Sequence, residues 1–181
     1  MQRMQRGFTI IELVVVIVLL GILAATALPR FMSVDNEAHT AVVQGVVGGL
    51  QTGVALYRAQ WIAEGQAAPD SQINEFNNLR VNAAGYPYGT DDNSGGTSDV
   101  TDSDDCAAVF VGILQLGAPS VSDVLAVANV VGSVTDFTAV ATAPNCNFYY
   151  TGQTSISGAT VPDLLYNSAT GALTESTQAL P

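Results

Sequence analysis

Arg6-Gly7-Phe8-Thr9-Ile10-Ile11-Glu12-Leu13 opens a run of apolar side chains that continues to Leu28 and stops at Pro29. Across the 21 residues from Phe8 to Leu28 the only ionisable side chain is Glu12. As a helix rising ~1.5 Å per residue, the run spans about 30 Å, the thickness of a bilayer's hydrocarbon core. Arg3 and Arg6 precede it. Positive charge on the N-terminal flank of an apolar helix stays cytoplasmic and directs the rest of the chain outward. The run predicts a single-pass anchor with an extracytoplasmic remainder.

The 181 residues leave room for one domain beyond that segment. The chain has no lysine and sets 16 acidic side chains against 5 arginines, a formal charge of −11. Such a surface repels phosphates, so nucleic acid is not an expected partner, and anionic headgroups repel it unless something apolar anchors it.

An ordinary secretory signal peptide shares this outline, with a basic start, an apolar middle and Ala25-Thr26-Ala27 as a small-residue cleavage site. Glu12 argues against that reading. A carboxylate in an inserting segment costs about 2–3 kcal/mol, which makes a functional role the default. The string from Arg6 to Leu13 resembles the processing site of type IV prepilins at every position that defines it. The resemblance implies that a prepilin peptidase cuts between Gly7 and Phe8 and methylates the new N-terminal Phe8, while the apolar helix stays on the mature subunit.

Glu12 lies four residues from Phe8, so a carboxylate and the new α-amine share one helix face. Pairing offsets part of the desolvation that an isolated buried charge would suffer. The pair can form within one subunit or between neighbours; the resemblance implies the second, with Glu12 setting axial register in a filament. Pro29 should kink the helix, because it lacks an N–H and clashes with the preceding turn. Gly21 is a second weak point, and the segment between them resembles the part of pilin helices that loosens on assembly. Membrane helices also tolerate both residues without such a role.

The helix is expected to continue from Arg30 to about Gly65, amphipathic beyond Pro29. Val34, Ala38, Ala41, Gly45, Gly49, Gly53 and Leu56 form a face of mostly small residues, which a sheet or another helix can approach closely. The run Ala38-His39-Thr40-Ala41-Val42-Val43-Gln44-Gly45, with Gln60-Trp61, resembles the mannose-sensitive haemagglutinin branch of these pilins. Similarity of motif reaches about residue 62; beyond it the likeness is one of architecture. His39 is the sole histidine and reads as structural, and Tyr57 and Trp61 read as packing residues.

From Gln66 to Asp105 the periodicity fades into turn-forming residues, which reads as a long acidic surface loop. Asp91–Asp105 holds six carboxylates in fifteen residues. Asp99, Asp102, Asp104 and Asp105 are candidate Ca²⁺ ligands, without the EF-hand spacing, and a solvated acidic loop is the expected alternative. No metal site or cofactor is expected. An extracytoplasmic setting and an even count favour a disulfide between Cys106 and Cys146, a pairing the resemblance also implies; it would tie this loop and the apolar segment Ala107–Leu116 to a strand.

Strand signals at Asp136–Thr142, Asn147–Thr151, Leu164–Asn167 and Ala172–Thr174 predict a small antiparallel sheet of three or four strands. The fold class is α+β, a long N-terminal helix packed on that sheet, as in pilins. The expected division is a leader at 1–7, a transmembrane and filament-core helix at 8–28, and a globular domain at 29–181. Within that domain come helix to about 65, acidic loop at about 66–105, and a disulfide-bounded β region at 106–181.

The resemblance implies a structural subunit, not an enzyme. It would be held in the inner membrane with its globular domain periplasmic, then polymerise with copies of itself into a cell-surface pilus for attachment. The implied partners are the prepilin peptidase, the assembly machinery of the inner membrane, and a host or environmental surface. Loss of the leader leaves 3 arginines against 16 acids, a side-chain balance of −13. The competing readings are a pseudopilin of type II secretion, or a minor pilin, and a soluble binding protein released after Ala27. No nucleophile–base pair or phosphate-binding loop rises above chance.

Overall fold

The computed structural model describes residues 8–90 and 99–181. The chain divides into an N-terminal unit ending at Ala41 and a globular unit, Val42–Pro181. Helix α1, Ile10–Ala63, supplies all regular structure among the described residues of the first unit and the opening of the second.

In the first unit the apolar side chains of α1 are exposed: Ile10, Ile17, Leu20, Leu23 and Leu28 all face outward. By length and composition α1 is a candidate membrane span. Pro29 sits inside the helix. It cannot donate to the carbonyl one turn earlier, yet helical geometry runs through it. His39 lies 3.8 Å from Asp35, one turn back along the same helix.

In the globular unit α1 buries Val43, Val46, Leu50, Val54 and Tyr57. Their 3-4-4-3 spacing is one stripe of a 3.6-residue helix. That stripe packs with Val109, Phe110 and Ile113 of α2 (Ser103–Leu114) and with Phe137, Phe148, Leu164 and Tyr166. Burying each such side chain contributes about 1.5–3 kcal/mol. Phe110 anchors the aromatic centre, its ring centroid 5.1 Å from those of both Phe137 and Phe148.

The glycine face admits a helix. A β carbon on Gly49 would lie 2.7 Å from Cδ2 of Leu114, and one on Gly53 would lie 2.4 Å from Cγ2 of Ile113, both at the C-terminal end of α2. Gly45 and Gly48 would meet nothing within 4 Å. The buried stripe is therefore not the small-residue face read from the sequence, of which only Gly49 and Gly53 make close contacts.

Two sheets complete the unit. The first is antiparallel, in the order β1 (Gln72–Ile73), β2 (Leu79–Val81), β3 (Pro87–Gly89). The second runs β4 (Val121–Asp123), β5 (Phe137–Thr142), β6 (Asn145–Tyr150), β7 (Thr160–Asn167), β8 (Ala172–Ala179). Its neighbours are antiparallel except β4 and β5, which pair in parallel. The expected strands are present, longer than read for β7 and β8, and β4 is an addition.

The segment 66–105 is not one long surface loop. Ile73, Leu79, Val81 and Tyr88 are fully buried in the main core, and α2 has begun by Ser103. The turn formers there serve short strands: Asn77 and Asn78 take φ of 53° and 59° between β1 and β2, and Gly85 takes 86° before β3. Tyr57 links this sheet to α1, its hydroxyl donating to the Leu79 carbonyl at 3.0 Å. Burial pushes the Tyr57 phenol far above its ordinary pKa, which keeps it a donor.

The opposite face of the larger sheet has its own small core of Val130, Val140, Tyr149, Val161 and Leu180. Cys106, in the first turn of α2, is disulfide-bonded to Cys146 on β6. Their Cα atoms are 5.4 Å apart, so the bridge fixes α2 to the middle of the sheet, as the cysteine count predicts.

Candidate functional site at the start of the long helix

The first turn of α1 is built by a reciprocal cap. Thr9 precedes the helix, and its backbone N–H donates to Oε2 of Glu12 at 2.9 Å. Its hydroxyl donates to the same oxygen at 2.8 Å. In return the Glu12 N–H donates to Oγ1 of Thr9 at 3.3 Å. Helix N-termini leave N–H groups without intrahelical acceptors, and a Thr-x-x-Glu box supplies acceptors from within the turn. The acidic side chain also faces the positive end of the helix dipole.

This arrangement concentrates one carboxylate on an otherwise apolar segment. Phe8, just before the cap, is 87% exposed, and Ile10, Ile11 and Leu13 around Glu12 are exposed as well. A desolvated cationic group would find at Glu12 an acceptor already oriented by Thr9. Thr9 has no separate role in the reading from sequence, although the Thr-x-x-Glu spacing ahead of an apolar run was available to reveal it.

The other candidate residues fall in separate places. Gly7, on the leader side of the expected cleavage, lies outside the described residues, as do Asp91 and Asp92 of the acidic stretch. Gly21 lies in α1 with nothing within 4 Å of where a β carbon would stand, and Pro29 lies eight residues further along the helix. Trp61 is a packing residue: its Nε1 donates to the Ala67 carbonyl at 2.8 Å, and its ring covers Gly85.

Asp102 and Asp105 accept from backbone N–H groups at the start of α2. Asp102 is the N-cap, its Oδ1 accepting from the Asp105 N–H at 3.2 Å, and the buried Asp105 accepts from the Thr101 N–H at 3.2 Å. A hydrogen bond to Asp102 raises the pKa of Asp104, with burial and the charge of Asp102 adding to it. Among the described residues, no group of three or more His, Cys, Asp or Glu side chains is placed to hold a metal ion. Of the carboxylates read as Ca²⁺ candidates, Asp102 caps α2.

Residues 2–28 match the prokaryotic N-terminal methylation motif. The chain is 40% identical over 70 residues to Fimbrial protein Q of Moraxella bovis, covering 38% of this chain and 45% of that one. It is 28% identical over 94 residues to Type IV major fimbrial protein FimA of Dichelobacter nodosus, covering 52% and 56%. It is also 40% identical over 57 residues to Type II secretion system core protein G of Pseudomonas aeruginosa, covering 32% and 40%. The chain thus spans roughly half the length of these curated relatives. No solved structure matches. In its N-terminal segment the chain is thus similar to type IV fimbrial proteins and carries the N-terminal methylation motif.

Proposed function

We propose that the chain is the structural subunit of a cell-surface type IV pilus of the mannose-sensitive haemagglutinin kind, with a structural and adhesive role. Prepilin peptidase cleaves between Gly7 and Phe8 and methylates Phe8. The protein waits in the inner membrane with its globular unit in the periplasm until the assembly machinery extracts it. Apolar helices then exchange lipid for one another, and the globular units form an acidic coat that attaches to host or environmental surfaces.

The observation that carries this reading is Glu12, a single carboxylate held by Thr9 on a helix whose surrounding side chains are apolar and exposed. Cleavage leaves an amine at Phe8, and a neighbouring subunit's amine meeting Glu12 neutralises two charges that would otherwise be buried unpaired. Helices that bury apolar faces against each other gain register from one such pair.

The test is the intact mass and N-terminal sequence of material sheared from the cell surface. A mature chain beginning at methylated Phe8 supports the proposal. A chain beginning at Leu28 means release as a soluble protein and overturns it. Normal filaments from a Gly7→Arg variant would sink the processing step. The similarity to a type II secretion core protein favours a second reading, a periplasmic pseudopilin; methylated Phe8 found only in membranes, with no surface filaments, would select it.

A further inference from the structure

The described sheets present four edges, and three of them are blunt. β1 has two residues, β4 has three, and β3 has three that are all buried. β8 is different. All eight of its residues pair with β7 in unbroken antiparallel register, and among the described residues no strand lies on its other side. It contains no proline, no lysine and no bulge, three of the features that protect an edge, and its one charged side chain is Glu175.

Pro162 fixes which backbone groups point outward. It pairs with Thr177 but has no N–H, so theirs is a pair that exchanges no hydrogen bonds with each other. Antiparallel ladders alternate, so Leu173, Glu175 and Thr177 turn their N–H and C=O groups away from β7. Ala179 is next in phase, and its carbonyl is taken by Nε2 of Gln178 at 3.0 Å, which closes that end. An open ladder of about 14 Å remains from Leu173 to Thr177.

We propose that this edge docks an extended segment of a different protein as a sixth strand, with a basic side chain of that segment opposite Glu175. Glu175 is the only ionisable residue of β8 and stands at the centre of the open ladder. A second copy of this chain is a poor occupant. Antiparallel pairing of two β8 strands about their centre sets Glu175 against Glu175, and like charges directly opposite are destabilising. The chain has no lysine, and among the described residues the only arginine in a strand is Arg80, in the middle strand of the smaller sheet. Main-chain bonds to the edge supply affinity, and the carboxylate selects the partner's charge.

The test pans a displayed library of random nine-residue peptides against the full chain in detergent micelles, with the Thr177→Pro and Glu175→Lys variants in parallel. Thr177→Pro removes one outward N–H and no bond to β7. Peptides recovered on the unaltered protein should carry Lys or Arg at one fixed position and slow amide exchange at Leu173, Glu175 and Thr177. They should bind at least tenfold more weakly to Thr177→Pro, and Glu175→Lys should switch the selected charge from basic to acidic. Recovery of no peptide, protection elsewhere, or no preference for a basic residue overturns the proposal. So does concentration-dependent protection of the same amides in the protein alone, which would assign the edge to a second copy. Should Thr177→Pro fail to fold, the charge switch at Glu175→Lys still decides.

Discussion

Gly53 of α1 and Ile113 of α2 meet so closely that a β carbon on the glycine would stand 2.4 Å from Cγ2 of Ile113 and 3.0 Å from its backbone oxygen. The side chain can rotate away, but the carbonyl belongs to the helix and cannot. Gly45, two turns earlier, has nothing within 4 Å. The two positions make opposite predictions for the same substitution. Gly53→Ala should lower stability by about 1–3 kcal/mol through overpacking. Gly45→Ala should raise it by up to about 1 kcal/mol, because alanine is the better helix former. Urea denaturation of both variants checks the pair; equal effects would mean that helix propensity alone governs this face.

Gly85 tests the smaller sheet. Its φ of 86° is a left-handed conformation, and an added β carbon would lie 2.4 Å from Cε3 of Trp61. Gly85→Ala therefore meets backbone strain and a ring held by its own hydrogen bond to Ala67. A loss of about 1–3 kcal/mol is expected, with a red shift of tryptophan fluorescence as the indole is displaced. An unshifted spectrum at wild-type stability would show that the 66–90 segment does not hold Trp61.

The disulfide makes a third prediction. Cys106 and Cys146 close a loop with a sequence separation of 40, and replacing both by serine should cost about 3–4 kcal/mol in the chain-entropy model. The loss should appear as a lower urea midpoint, matched by the reduced wild type. A difference between reduced protein and the double variant would instead reflect packing of the serine hydroxyls in a site that is fully buried.

Long, strongly patterned elements were legible in the sequence, and elements held by distant partners were not. The 21-residue apolar run, α1 as a whole, and β5 to β8 stand out because each carries its own periodicity or turn chemistry. β1, β2 and β3 have two or three residues each, too few for alternation to register. β4 is likewise short, and what places it is nonlocal: Phe137 donates to the Ser120 carbonyl at 2.9 Å, and the Ser120 hydroxyl donates to Asp136 at 2.6 Å. Hydrophobicity does not mark the buried face of α1, because valines surround the helix there, although its glycines do mark where α2 approaches. Val42 and Val47 flank the stripe of Val43 and Val46, so hydrophobicity alone does not select a side. The Thr9–Glu12 cap has a local signal, the Thr-x-x-Glu spacing ahead of an apolar run.

Asp163 offers a pH-dependent test. It lies on β7, only 6% exposed, where Nδ2 of Asn147 donates to both its oxygens at 3.1 and 3.0 Å and Ser176 donates from β8 at 3.4 Å. Burial raises its pKa above the usual carboxylate value, and the bonds from Asn147 and Ser176 lower it by less. Below about 3.9, the ordinary aspartate value, both folded and unfolded chains are protonated there. As pH rises from that value through the raised folded value, the unfolded chain releases its proton first, and the folded state loses stability. Asp163→Asn has no such proton to release. Its stability relative to wild type should therefore grow between pH 3 and pH 7, measured as a widening gap in urea midpoints. Two parallel pH profiles would show that solvent reaches the carboxylate freely, and that Asn147 and Ser176 hold it in place without setting its charge.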